Sequence, residues 1–419
     1  MWAMADLLAE PVALSWKELE ALAPEAAERC QGPANAQSTL RLFGQSESEV
    51  RVTLFRDHHA WCPYCQKVWL WLELRRVPYR IRKVTMRCYG PKELWFTAKV
   101  PSGMLPALEL DGRLFTESDR ILETLEHAFG SVGVSMHDPR VRRIRELERL
   151  LFRAWCLWLC TPRMNKGQEI QAKAQFQKVA RQMEAALLEG GGHWLDPDDP
   201  SGAHPGTADL VFIPYVERMN ASLAYFKGFS LRQEHPAINQ WFNALEQLET
   251  YRGTQSDVHT HAHDLPPQMG GCWSSGSPEQ LAMARAVDQG VGLAELETVW
   301  PPGMGDDGVM PPARALERVL RHRSALMARN PLGTALDQPL RAALTNLISG
   351  AICQPNPDSA EGLRYLRDRI SVPRDMPLHS ARLLRKALEA TAALDGEAQP
   401  PPLPNDHRFD QDPSPFLVP

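Results

Sequence analysis

The chain has 419 residues, 43% of them hydrophobic and 23% charged, with eight cysteines and a formal net charge of -5. That length suggests two or three domains, and the acidic balance argues against a nucleic-acid partner, which would need a basic surface. No run approaches the roughly 18 apolar residues that cross a bilayer, so no membrane partner is expected.

Residues 1–48 read as an N-terminal extension with one short helical pattern, Ser15 to Leu22, followed by a polar stretch rich in Gln, Ala and Ser. Its acidic residues, among them Asp6, Glu10 and Glu18, fit neither a secretory signal nor a transit peptide. Residues 49–131 form the first folded unit. Val52-Thr53-Leu54-Phe55 predicts a strand, and Pro63 to Leu74 a helix with Val68, Leu70, Trp71 and Leu74 inward. Val77, Tyr79 and Ile81 alternate with Arg80 and Arg82 as a second strand. Leu105–Leu110 and Arg113–Thr116 flank Asp111-Gly112, a strong hairpin signal, and Ile121, Leu122, Leu125 and Phe129 mark the helix after it. The order βαβ then ββα is that of an α/β thioredoxin-like fold.

Trp61-Cys62-Pro63-Tyr64-Cys65 falls between the first strand and its helix. Two thiols at a helix N-terminus suit thiol–disulfide chemistry, because the unpaired N–H groups and the helix dipole favour the thiolate of Cys62. Cys65, one turn further in, can attack a mixed disulfide on Cys62. Zinc would want a second Cys-x-x-Cys or a Cys/His pair at matching spacing, and none follows closely.

Residues 138–253 are wholly helical in pattern. Val141, Ile144, Leu147, Leu151, Trp155 and Trp158 mark one long helix; Ile170, Ala174, Val179, Met183 and Leu187 a second; Asp209–Tyr225 and Ala237–Leu248 two more. Residues 274–396 form a further helical extension, with Ser277-Pro278-Glu279-Gln280, Asp337 and Asp358 as expected caps. Its apolar positions, including Leu316, Val319, Leu344, Leu366 and Leu384, predict helices docked on the preceding domain and no separate catalytic unit. Residues 397–419 are a proline-rich tail.

A Cys-Pro-Tyr-Cys thioredoxin fold followed by an all-helical domain resembles the glutathione S-transferase superfamily over about residues 50–255, specifically its cysteine-type members. These are the omega class, the dehydroascorbate reductases and the two-domain bacterial glutaredoxin. The resemblance implies an all-α glutathione-transferase C-terminal domain and glutathione as co-substrate. It also implies a glutathione-dependent thiol transferase or reductase with Cys62 as nucleophile and Cys65 as possible resolving thiol. Val100-Pro101-Ser102-Gly103-Met104-Leu105-Pro106 looks like the family's cis-proline segment, with Leu105 pairing its backbone to the cysteinyl part of glutathione and Pro106 cis. Glu117-Ser118 looks like the acidic-Ser pair that holds the γ-glutamyl ammonium and carboxylate. Arg87 or Lys92 meets the glycine carboxylate, and Tyr64 joins the same pocket. The acceptor is a small molecule or a disulfide, a homodimer is possible, and the compartment is cytoplasmic, or plastid for an algal chain. Two alternatives are a conjugating or isomerising transferase and a non-catalytic scaffold that binds glutathione or a protein partner.

Three weaker constellations remain. His259, His261 and His263 share one face if extended, a candidate metal site, although short His-x-His runs more often bond backbone and water. Cys156 and Cys160 share a helix face and read as core packing, while the resemblance implies the alternative of a wall of the acceptor pocket. Arg142, Arg145, Arg149 and Arg153 form a basic stripe that reads as a solvated or dimer-contact face, with anion steering as the alternative.

Overall fold

The computed structural model describes residues 11–191, 193–196, 204–290, 293 and 305–396, so the first ten residues and the expected proline-rich tail lie outside the described residues. The first part of the chain runs α1 (Trp16–Leu22), β1 (Leu40–Arg41), β2 (Val52–Asp57), α2 (Pro63–Leu74), β3 (Tyr79–Val84), α3 (Leu94–Lys99), β4 (Ala107–Leu110), β5 (Arg113–Thr116) and α4 (Ser118–Phe129). Helices follow: α5 (Pro139–Cys160), α6 (Lys166–Glu189), α7 (Thr207–Lys227), α8 (Leu231–Glu234), α9 (Pro236–Leu245), α10 (Glu249–Thr254), α11 (Val258–Met269) and α12 (Pro278–Asp288). The last four are α13 (Pro311–Arg329), α14 (Asp337–Ser349), α15 (Ala360–Arg369) and α16 (Leu378–Ala392).

The sheet has the order β1-β3-β2-β4-β5, with β2 and β3 parallel and the other pairs antiparallel. A parallel pair needs a crossover, and α2 supplies it. At the β4–β5 turn Asp111 and Gly112 hold φ of 50° and 79°, the double left-handed conformation that matches strand twist in a two-residue hairpin. The N-terminal extension contributes β1 to one sheet edge.

Helix α2 is buried between the sheet and α7, so even Glu73 on it is inside. Its carboxylate accepts both Arg41 Nε and Nη2 at 2.9 Å, and the Tyr79 hydroxyl donates at 2.7 Å. This bidentate pairing satisfies a charge that burial would otherwise penalise heavily. Helix α7 is buried along its whole length. Its first turn is held by Asp209, which accepts from Gly206 N at 3.1 Å, Leu195 N at 2.9 Å and Trp241 Nε1 at 2.8 Å. The glycine at the cap position is thus covered by the acid three residues on.

One hydrophobic cluster runs without interruption from the sheet through the helices to Val287 on α12. The helical core therefore continues beyond residue 253, and α12 belongs to it: Gln280 Nε2 donates to the Tyr225 carbonyl of α7 at 2.8 Å. A second cluster contains Leu316, Leu340, Leu344, Leu363, Leu384 and Leu388 of the last four helices together with Leu19 of α1. The extension expected at 274–396 is thus divided between the two cores.

Three local expectations change. The histidine segment is helical and buried, because Asp257 caps α11 by accepting Thr260 N at 2.8 Å. Asp337 opens α14 from inside its first turn and bonds Trp16 Nε1 at 2.7 Å. The first turn of α15 is capped from a distance by Asp395, which accepts from Asp358 N, Ser359 N and Ala360 N at 3.1, 2.8 and 3.0 Å.

Candidate active site

Strand β2 ends in Asp57, and the chain then passes through a buried loop in which His59 stacks on Trp61 at 4.4 Å. Ala60 in this loop holds φ of 62°, a conformation that L residues adopt rarely. Asp57 Oδ2 accepts Trp61 N at 2.6 Å and also bonds the Cys62 backbone. Cys62 is the N-cap of α2, with Pro63 at the first helical position, where its missing N–H removes no helix bond.

The two thiols are not equivalent. Both are buried, but Cys62, 6% exposed, lines a cavity of about 550 Å³, whereas Cys65, 1% exposed, does not reach it. Burial first, and then the Cys62 hydrogen bond, push the Cys65 thiol well above its usual range. Asp57, Cys62 and Cys65 bring one ligand atom each to within 4.8 Å of one another. Among the described residues this is the one convergent His, Cys and carboxylate group that could hold a metal, and a soft metal there would occupy the same sulfurs that thiol chemistry needs. Burial pushes the Asp57 carboxyl up despite Arg56 beside it.

The cavity is lined by both polar and apolar side chains. Tyr64, Arg87, Lys92 and Leu105 line it near Cys62, and the Leu105–Pro106 bond is cis. Gly103, at φ 64°, leaves room that a side chain would take from Lys92, whose Cδ would lie 3.2 Å from an added Cβ. Lys92 Nζ donates to the Thr85 carbonyl at 2.7 Å, while Arg87 is exposed. Glu117 and Ser118 stand at the start of α4, outside this lining; Glu117 is exposed with φ of 66°, and Ser118 is buried. Phe152, Trp155 and Tyr215 form an aromatic wall with Leu265 and Met269 of α11, and Tyr215 meets Tyr64 edge-on at 5.8 Å. Cys156 and Cys160 are not in that wall.

Arg218 of α7 also reaches the site, and nothing in the sequence pattern announces it. Its guanidinium donates to Gln66 Oε1 at 2.8 Å and the Pro214 carbonyl at 2.6 Å, and to the Trp61 carbonyl one residue before Cys62. Beside it, Glu217 accepts Ser256 N at 2.9 Å and bonds His261 Nε2 at 2.7 Å. His263 bonds Asp288 at 2.9 Å, and His259 meets the His263 ring edge-on at 4.8 Å. The three histidines are divided among these contacts and do not converge as a metal site. The arginine stripe is likewise divided: Arg145 shares Asp119 with Lys67 of α2, and Arg149 pairs with Glu148.

Residues 61–128 match the family model "Glutathione S-transferase, N-terminal domain", and residues 146–244 match "Glutathione S-transferase, C-terminal domain". The chain is 24% identical over 198 residues to glutathione S-transferase DHAR2 of Arabidopsis thaliana, covering 46% of this chain and 84% of that protein. It is 23% identical over 228 residues to glutathione transferase omega-1 of Caenorhabditis elegans, covering 52% and 87%. Among solved structures, Chlamydomonas reinhardtii dehydroascorbate reductase aligns with a TM-score of 0.41 at 18% identity, over 53% of this chain and 95% of the other. No helix among the described residues is long and apolar enough to cross a membrane.

Proposed function

Residues 61–128 and 146–244 belong to the glutathione S-transferase superfamily, and on that premise we propose that the chain is a glutathione-dependent thiol transferase or reductase. One observation carries this reading: Cys62 lines the cavity while its partner thiol Cys65 does not reach it. In this scheme the Cys62 thiolate attacks the glutathione sulfur of a mixed disulfide, forming Cys62–S–SG and releasing the substrate thiolate. A second glutathione thiolate then attacks the glutathione sulfur, releasing glutathione disulfide and restoring Cys62. With an oxidised small molecule such as dehydroascorbate, two glutathiones supply the two electrons and leave as the disulfide.

Cys65 offers a second resolution. Its proton must leave before it can attack Cys62–S–SG and expel glutathione thiolate, and Asp57 is the carboxylate placed to take it. Arg87 serves the glycine carboxylate better than Lys92, whose ammonium is already committed to Thr85. Leu105 supplies the backbone pair, with Glu117 and Ser118 toward the γ-glutamyl end. The aromatic wall takes the acceptor, and the setting is a reducing one, the cytoplasm or a plastid. A cysteine nucleophile disfavours plain conjugation, where the glutathione thiolate must stay free.

The test is glutathione-coupled reduction of a glutathionylated peptide and of dehydroascorbate. Cys62→Ser should lower turnover more than about 100-fold, and Cys65→Ser should keep the monothiol route. Full turnover by Cys62→Ser would overturn the assignment.

A further inference from the structure

A second pair of thiols meets outside the active site. Cys160 is the last residue of α5, and Cys272 lies just beyond α11, in the linker that carries the chain to α12. The Leu159 carbonyl accepts Trp273 N at 2.9 Å, which fixes the two backbones side by side and brings Cys160 and Cys272, each one residue from that bond, next to one another. The linker is pinned again at Ser275, whose N–H donates to the Phe226 carbonyl at 2.8 Å.

The members of this pair differ as nucleophile and resolver should. Cys160 is half-buried and near Lys227, whose side chain is 1% exposed and whose ammonium pairs with Glu169 at 3.2 Å. The Cys272 hydrogen bond first, and the Lys227 charge with it, draw the Cys160 thiol below its usual range. Cys272 is buried, and its hydrogen bond to Cys160 together with burial push it up. Cys160, half-buried, is therefore the more accessible nucleophile, and Cys272, buried, the resolving thiol.

We propose that Cys160 and Cys272 are a second redox-active dithiol, closed by glutathione disulfide into a bond that staples the end of α5 to the linker before α12. The Cys160 thiolate attacks one sulfur of glutathione disulfide, giving Cys160–S–SG and one glutathione thiolate. Cys272 then loses its proton to solvent and attacks the Cys160 sulfur, expelling the second glutathione thiolate. Two protein thiols are oxidised, and one glutathione disulfide is reduced to two glutathiones. The staple is independent of Cys62 and goes beyond the transferase reading.

The experiment uses the full chain carrying Cys62→Ser, so that the active-site pair cannot form its own disulfide. It is equilibrated in glutathione buffers from fully reduced to fully oxidised, quenched in acid and mapped without reduction. The expected result is a linked Cys160–Cys272 peptide in oxidised buffer and a thermal transition several degrees higher than in the reduced form. With Cys272→Ser added, glutathione should remain on Cys160 and the thermal shift should vanish. Absence of the linked peptide even in pure glutathione disulfide, or linkage of Cys160 to Cys156 instead, would overturn the proposal. Cys272→Ser in an otherwise native chain should retain thiol-transfer activity, so failure of the staple and failure of the Cys62 reading are told apart.

Discussion

The body that carries the cavity and the lobe formed by α13–α16 with α1 are stabilised in different ways. In the body, one large apolar cluster runs through sheet and helices beside a small one of Phe55, Val84, Phe96, Val100 and Ala107, and buried charges such as Arg218 and Glu217 are tied into bonds that end beside Cys62. The lobe has its own cluster, and α1 from the far end of the chain completes it through Leu19. The two cores meet through polar bonds: the Arg385–Asp257 pair, Ser256 Oγ to the Val372 carbonyl at 2.5 Å, and Val372 N to Thr260 Oγ1 at 3.1 Å. The cavity thus lies within the body, beside its larger core, while polar contacts tie the lobe to it.

Breaking the attachment is the strongest way to separate the two. Asp257 and Arg385 side chains are each 2% exposed, so Arg385→Met strands a buried carboxylate and should cost about 3–5 kcal/mol. A split thermal transition, with the lobe melting first, is the expected outcome; one unshifted transition would contradict it. Although burial opposes it, the Arg385 charge holds Asp257 below the usual carboxylate range. That contribution is present above the unfolded carboxyl value and is lost as pH falls through the lowered folded one, so the native attachment should loosen in acid. In the variant this acid dependence should disappear.

Leu19→Ala should sharpen the contrast at slightly smaller magnitude. It empties a fully buried position in the lobe core, at about 2–5 kcal/mol, and hydrogen exchange should rise in α13 and α14 while α2 and α7 stay protected. Equal loss of protection in α7 would show that the cores are one cooperative unit.

Asp57→Asn acts inside the body. Disulfide formation between Cys62 and Cys65 should slow roughly 100-fold, with the glutathione-resolved route little changed. Because burial raises the Asp57 carboxyl, the native dithiol rate should climb with pH through a window above the ordinary carboxylate range, and the variant should lack that rise. The raised folded value also means that the native stability contribution of this group declines as pH increases, so the variant should gain thermal stability at neutral pH. An unchanged rate profile in stopped-flow fluorescence would remove Asp57 from the mechanism. The smallest effect is expected at Arg87→Ala, a rise in glutathione KM of roughly fivefold to tenfold with kcat nearly constant. An equal rise for Lys92→Ala would put the two cations on a par.

Local signals in the chain foretold local geometry. Asp111-Gly112 specified its hairpin, Pro63 opened α2, and Leu105–Pro106 stood in the segment where the cis bond is found. What sequence spacing did not convey was long-range pairing. Arg218 reaches Trp61, and Cys272 meets Cys160, only because α7 and α11 pack against elements distant in the chain. Asp57 carries no periodicity of its own; a lone acid between an apolar strand and the Cys-x-x-Cys was the available clue. His259, His261 and His263 suggested alternation, but the Asp257 cap and the burial of α11 outweighed that period-two pattern. Pro266 and Pro267 lie in the C-terminal part of α11, where they do not prevent its first turns from forming.

The insertion of α1 into the distant lobe also sets an order of events during synthesis. Leu14 N bonds Thr345 Oγ1 at 3.0 Å across a separation of 331 residues. At roughly 5–20 residues per second of translation, the α1 segment waits on the order of 20–70 s for that partner to be made. The body can gather its own core meanwhile. A ribosome that stalls late would therefore hold a nascent chain with the body's core gathered and α1 still unclaimed, a state that chaperones would meet as a tethered amphipathic segment.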